Sequence, residues 1–173
     1  IHWALSLGGS ATVMKGREES KVLSVAMMPK GKYTLVGLQL GEQKLDNVVS
    51  LAGLASLTEL RELILNRNLV TDAGLAFLPP LPGLTTLGLH ECGLTDDCFT
   101  HLAKQPALTN LDVGYNKISG TGLNRFPGAA ALTSLSIGSS SLTDEGLQAF
   151  TQCKALTSLD LSSSGTSKCT SLA

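Results

Sequence analysis

The sequence is poor in aromatic residues, in net charge and in long apolar runs, and each shortage removes a class of explanation. Aromatic residues make up 4% of the 173 residues, so any core must be aliphatic. Lys and Arg number 13 against 14 Asp and Glu, a formal net charge of -1. That balance gives no electrostatic case for nucleic acid, whose binding rests on neutralising phosphates. No apolar run approaches the roughly 18 residues that a membrane helix needs, so membrane insertion is not expected. The four cysteines (Cys92, Cys98, Cys153, Cys169) do not have the spacing of a small secreted disulfide framework. They read as reduced thiols, and the expected compartment is the cytoplasm. The opening Ile1-His2-Trp3-Ala4-Leu5 has no Met and no basic region, so it reads as the cut edge of a longer protein rather than a signal peptide.

What the chain has instead is Leu at fixed intervals. Leu60, Leu63, Leu65 and Asn68 have the form LxxLxLxxN. A step of 24 residues gives Leu84, Leu87, Leu89 and Cys92, and a second gives Leu108, Leu111, Val113 and Asn116. Two more steps reach Leu132, Leu135, Ile137, Ser140 and then Leu156, Leu159, Leu161, Ser164. Backwards, Leu35, Leu38 and Leu40 fit with a step of 25, the extra residue falling between Leu45 and Leu51. Periods of 20–50 residues mark stacked-repeat architectures.

Each copy has a second half. Val70-Thr71-Asp72-Ala73-Gly74-Leu75 recurs at Leu94–Phe99, Ile118–Leu123 and Leu142–Leu147. Thr, Ser and Asp at its start read as helix caps, because their oxygens accept the free N–H groups of a first turn. Leu75/Leu78, Phe99/Leu102, Leu123/Phe126 and Leu147/Phe150 then face inwards from a short helix. Pro79-Pro80, Pro106 and Pro127 stand where three of these helices should stop.

In each LxL the two apolar side chains share a face. One strand and one helix cannot bury that face alone, whereas stacked copies bury a continuous core. The expectation is an α/β fold: a curved solenoid with parallel strands on the concave face and short helices on the convex face. The Asn68 position should turn into the core and bond neighbouring backbone. Cys92, Ser140 and Ser164 are smaller groups for the same pocket, with fewer bonds.

LxxLxLxx(N/C) followed by (L/I/V)TDxGL resembles the cysteine-containing class of leucine-rich repeats, best known from F-box substrate receptors. Cys92 and Cys153 stand at that class's two Cys positions. The TDxGL form is also similar to bacterial repeat proteins abundant in planctomycetes. There such repeats often follow a segment like Trp3–Gly9 and a short β-rich cap, sometimes attached to protein kinase modules. The resemblance covers residues 35–164 and implies a scaffold rather than a function. No F-box-like segment precedes the repeats, so these residues do not support a ubiquitin-ligase role.

The expected organisation is an N-terminal cap over residues 1–31, six repeats over 32–164 and an irregular tail over 165–173. The cap reads as a helix end closed by Gly8-Gly9 and a β-hairpin of residues 10–14 and 21–26. After Leu161 no TDxGL follows, so the last strand should leave an edge with little cover.

Candidate chemistry is sparse. His90-x-Cys92 and Cys98-x-x-His101 have a zinc-like spacing, but they fall on opposite sides of a Leu core and cannot meet one tetrahedral ion. Gly120-Thr121-Gly122 lacks the Lys and spacing of a phosphate loop. Asp72, Asp96 and Asp144 read as solvated caps on the convex edge rather than an acid/base pair. Lys15, Arg17, Lys21, Lys30 and Lys32 read as a solvated surface of the cap. No catalytic residue, metal or cofactor is expected, and the chain reads as a monomeric, non-catalytic module for a protein partner. The alternatives are a substrate-recruiting part of a larger enzyme such as a protein kinase, or a structural spacer. Outward strand positions carry Glu62, Ile64, Arg67, His90, Glu91, Asp112 and Tyr115 in the first copies, and almost only Ser and Gly in the last two. Hot spots favour aromatic and Arg residues, which places the expected contact around these seven.

Overall fold

Two same-face Leu per 24 residues ask for one short strand per copy, and one forms in each. The structure is a computed structural model that describes residues 5–6, 8–42, 51–138 and 141–162. Strands β1 (Ser10–Lys15) and β2 (Glu18–Val22) make a hairpin. Strands β3 (Thr34–Gln39), β4 (Glu62–Ile64), β5 (Thr86–Gly88), β6 (Asn110–Asp112), β7 (Ser134–Ser136) and β8 (Ser158–Asp160) follow, one per copy. All join one sheet in the order β2-β1-β3-β4-β5-β6-β7-β8. The hairpin is antiparallel to β3, and every later pairing is parallel.

The register of the sheet is the repeat itself. Leu38 pairs with Leu63, then Leu63 with Leu87, Leu87 with Leu111, Leu111 with Leu135 and Leu135 with Leu159. These Leu face the helical side and are buried up to Leu135, whereas Leu159 on the edge strand β8 is 42% exposed. Outside the strands, Thr85, Thr109, Thr133 and Thr157 repeat at the same step. Each hydroxyl donates to a carbonyl of the preceding copy, at 3.1–3.3 Å.

The convex side is built from single turns. Helices α1 (Asp72–Leu75), α2 (Cys98–Leu102) and α3 (Asp144–Ala149) share this side with 3₁₀ turns at Leu51–Ser56, Thr121–Arg125 and Pro127–Ala131. Leu75, Leu78, Phe99, Leu102, Leu123 and Phe126 are buried as the pattern requires, while Leu147 and Phe150 are partly buried. Phe126 separates the two consecutive 3₁₀ turns, and Pro127 opens the second rather than only ending the first. A first helical position suits Pro, whose missing N–H would be unpaired there anyway.

Two expectations need correction. The second hairpin strand is Glu18–Val22, not 21–26, because the chain turns already at Gly16-Arg17. Gly16 has φ +65°, the positive value that a tight hairpin turn demands of its first central residue. Residues Val25–Met27 form a 3₁₀ turn whose Val25 and Met27 are exposed.

The second correction concerns the carboxylates at the helix starts. Thr143 caps α3, its hydroxyl accepting from the Gly146 N–H at 3.1 Å. Thr71 and Asp97 make no such side-chain bond. Asp72 and Asp96 are not solvated caps: each reaches forward into the next copy. Asp72 accepts from the Thr95 N–H and hydroxyl, the latter at 2.8 Å. Asp96 accepts from the N–H groups of Ser119, Gly120 and Gly122 at 2.8, 3.1 and 2.8 Å. Because the helical turns are so short, the free N–H groups of one copy lie beside the carboxylate of the one before. The latch therefore joins copies instead of closing a helix.

The core asparagines behave as expected. Asn68 is buried and its amide donates to the carbonyls of Leu40 and Leu65 at 2.7 and 2.9 Å. Asn116 donates to Leu89, Val113 and Gly114 and accepts from the N–H groups of Cys92 and Leu94. Cys92 fills the same pocket with a thiol that donates to the carbonyls of Leu65 and His90 at 3.2 and 3.5 Å. Ser140, Ser164, Cys169, the residues around Leu45 and the tail lie outside the described residues.

Candidate binding face

Backbone geometry decides which side chains stand on the concave face. Inside each strand, alternation sends Leu63, Leu87, Leu111 and Leu135 to the core and sends Glu62, Ile64, Thr86, Asn110, Asp112, Ser134 and Ser136 outwards. Just past the strand the chain must reverse into the core, and it does so through a left-handed residue. Glu42, Arg67, Glu91 and Tyr115 have φ values of 61°, 57°, 54° and 55°. Their N–H groups bond a carbonyl of the next copy at 2.7–2.9 Å, so the strained conformation is held by the stack. The four side chains consequently form a row along the rim.

On this row Arg67 stands between two carboxylates. Its guanidinium meets Glu42 at 2.6 Å and Glu91 at 3.1 Å. The Glu42 hydrogen bond first, then the charges of both carboxylates, hold the Arg67 pKa above its usual value. Such exposed pairs add little stability; their effect is to fix where the guanidinium points. One position inwards, His90 stacks on Tyr115 with ring centroids 4.7 Å apart and planes tilted by 45°. His90 Nδ1 is 3.7 Å from Asp112 Oδ1. Tyr115 remains 55% exposed, a large ring held in place yet open to solvent.

Glycines make room for this cluster. A Cβ at Gly114 would stand 3.2 Å from His90 Nδ1 and 3.3 Å from Asp112 Oδ1. One at Gly88 would stand 2.7 Å from the Asn66 side-chain oxygen and 3.0 Å from Ile64 Cδ1. Glu42, Asn66, Arg67, His90 and Asp112 line a shallow depression of about 330 Å³. A second hollow, of about 160 Å³, runs over the strands from Ile64 past Gly88 and Asp112 to Ser136.

The structure thus gathers Arg67, His90, Glu91, Asp112 and Tyr115 into one patch. Ile64 lies on its floor. Glu62 stands apart, accepting from Gln39 Nε2 at 2.9 Å and lining a separate hollow with Thr12, Glu19 and Arg61. Two members of the face were not anticipated. Glu42, partner of Arg67, lies 25 residues before it, so the repeat offset marks the position once the first copy's outward residues are written out. The other is Asn66, beside Arg67, whose side-chain oxygen accepts the His90 N–H at 3.0 Å.

The thiols of the zinc-like spacing are core groups. Burial pushes the Cys92 thiol up to about 11, and raises Cys98 still further. Among the described residues no group of three or more His, Cys, Asp or Glu is arranged to hold a metal. No helix of the described residues is long and apolar enough to cross a membrane.

The stacked parallel strands, the core asparagines and the 24-residue register together define the architecture, and residues 106–165 match the leucine rich repeat family model. The fold is that of a leucine-rich-repeat solenoid. The chain is similar to the crystal structure of internalin C2 from Listeria monocytogenes, with 28% identity and a TM-score of 0.58, over 73% of this chain and 51% of that one. It therefore spans about half the length of that relative. It also aligns with the repeat ectodomain of the receptor kinase SOBIR1 from Arabidopsis thaliana at 17% identity and TM-score 0.45, over 78% of this chain and 75% of that one. A comparison with curated proteins finds no significant match. Repeat solenoids of this kind are typically protein-interaction modules, and their motif fixes the scaffold while the outward residues differ.

Proposed function

We propose that this leucine-rich-repeat chain is a non-catalytic module that binds a protein partner through its concave face. The contact is centred on Arg67, His90, Glu91, Asp112 and Tyr115, with Ile64 as floor and Glu62 at the margin. The observation that carries the reading is the His90–Tyr115 stack. A ring that is 55% exposed is held in one orientation by the His ring beside it and by a left-handed backbone locked into the next copy. Rigid, exposed aromatic groups next to a positioned Arg are the composition of interface hot spots, because little entropy remains to be lost on binding. The hairpin β1–β2 serves in this reading as the N-terminal cap of residues 1–31, its Ala11, Val13 and Val22 closing the core. The module works as a monomer. The three described cysteines, all free and buried, agree with a reducing, cytoplasmic setting and with the cysteine-containing class of repeats.

The test is affinity capture with two baits, the chain as it stands and a triple variant Arg67→Asn, His90→Ser, Tyr115→Asn. Asn tolerates the left-handed backbone at positions 67 and 115, so the variant should keep its fold. A protein retained by the first bait and lost from the second supports the reading. Equal capture by both refutes the concave site.

A further inference from the structure

The outward positions of β3 to β8 and the turns after them have an unequal charge. Their described residues include five carboxylates (Glu42, Glu62, Glu91, Asp112, Asp160) and one guanidinium, Arg67. That single cation is already engaged on both sides by Glu42 and Glu91. The hairpin adds Lys21 and Glu19 to the sheet margin, which offset one another, and Arg61 stands beside Glu62 at the strand's start. A chain with a net charge of only -1 therefore presents a face several charges more negative than its average.

Two of these carboxylates are fixed in place. Asp112 Oδ1 accepts the Gly114 N–H at 3.0 Å, and Asp160 Oδ1 accepts the Ser162 N–H at 2.8 Å. Asp112 is anchored by the turn behind it, and Asp160 by its own turn and by the Ser136 hydroxyl, which donates to Oδ2 at 3.3 Å. They occupy the same outward position two strands apart, a separation of about 10 Å for parallel strands. Between them lie only Ser134, Ser136 and Gly138, which leave the floor low. An extended chain crossing the strands advances about 3.3 Å per residue, so about three residues span that gap. Ile64 lies two strands before Asp112 at the same outward level, and the His90–Tyr115 pair borders the path beside Asp112.

Resting on the concave-face reading above, we propose that the partner contributes a basic, extended segment that lies across the strands. It places Lys or Arg about three residues apart over Asp112 and Asp160 and an apolar or aromatic residue against Tyr115 and Ile64. Complementary charge selects such a partner and speeds its encounter, while the ring and the Ile supply the dry contact.

The experiment is selection of a displayed library of random twelve-residue peptides on the intact chain. Two variants are then tested with the recovered peptides. One is charge-neutralised, Glu42→Gln, Glu91→Gln, Asp112→Asn and Asp160→Asn, which keeps the side-chain shapes and the turn bonds. The other lacks the stack, His90→Ser and Tyr115→Asn. Circular dichroism melts show whether both variants fold. The expected result is enrichment in Lys and Arg of at least twofold, affinity weakened at least tenfold by charge neutralisation, and further weakening with added salt. Neutral or acidic peptides that the stack variant loses would overturn the basic partner and leave the concave site standing. Peptides held equally by all three proteins would overturn both. Recovery of no peptide above background would overturn the extended segment.

Discussion

Removing the Asn116 side chain tests how the stack is held together. Its amide donates to the carbonyls of Leu89, Val113 and Gly114 at 2.9, 2.9 and 3.0 Å, and its oxygen accepts from the Cys92 and Leu94 N–H groups, both at 3.0 Å. The residue is 6% exposed, so water cannot readily take its place. A buried N–H left without an acceptor costs about 1–3 kcal/mol; two that shared one acceptor lose about 3 kcal/mol together. Of the three carbonyls that lose a donor, Gly114 keeps the Glu91 N–H, and the lost donations together add about 1 kcal/mol. Asn116→Ala should therefore destabilise the chain by about 4 kcal/mol, against a total stability of about 5–15 kcal/mol for an ordinary domain. Cys92 serves as an internal comparison, since its thiol makes only the donor half of the pattern. Asn116→Cys should cost about 3 kcal/mol and Cys92→Ala about 1 kcal/mol on the same reasoning. Urea unfolding followed by circular dichroism gives the differences, and hydrogen exchange at the Cys92 and Leu94 amides locates them. A loss below about 1 kcal/mol for Asn116→Ala, with unchanged exchange at those two amides, would refute the argument.

The Asp96 latch should behave similarly. Asp96→Ala strands three N–H groups of the next copy and should cost about 3 kcal/mol, with Asp96→Asn intermediate because one acceptor oxygen remains. Equal stability of Asp96→Ala and wild type in urea would show the carboxylate to be merely solvated. Gly146→Ala should prevent normal packing of α3, because its Cβ would run into the Ser119 carbonyl, whereas Gly53→Ala, with open space around it, should change the thermal midpoint little. The raised thiol pKa values predict alkaline destabilisation. The unfolded thiol ionises near its ordinary 9.0 while Cys92 in the fold does so near 11, so this contribution is complete below pH 9 and is lost as pH rises towards 11. The slope is about 1.4 kcal/mol per pH unit and thiol. Comparison of urea midpoints at pH 8 and pH 10.5 with a Cys92→Ala, Cys98→Ala double variant isolates the effect, and an identical pH profile in both proteins would contradict it.

The 24-residue period alone determined the strands, their parallel order, the register, the apolar residues facing the core and the inward Asn. Each follows from the obligation to bury a two-Leu face that one copy cannot bury by itself, and a repeated obligation leaves a repeated mark. The hairpin is legible too, but the start of its second strand is not, since charged Glu18 and Glu19 conceal an edge strand whose side chains are free to be polar. What the period could not determine is where a polar side chain finds its partner in a neighbouring copy. Asp72 and Asp96 have the local signature of a helix cap, and only the close approach of the next copy's free N–H groups turns them into latches. Gathering Arg67 with Glu42 and Glu91, and His90 with Tyr115, likewise needed the stack. Residues 24 or 25 apart in sequence become neighbours only when strands settle side by side and the residue after each one takes a left-handed turn. The tertiary structure decided the face because hydrogen bonds and ring contacts depend on distances in space, while the repeat specifies only which residues are equivalent.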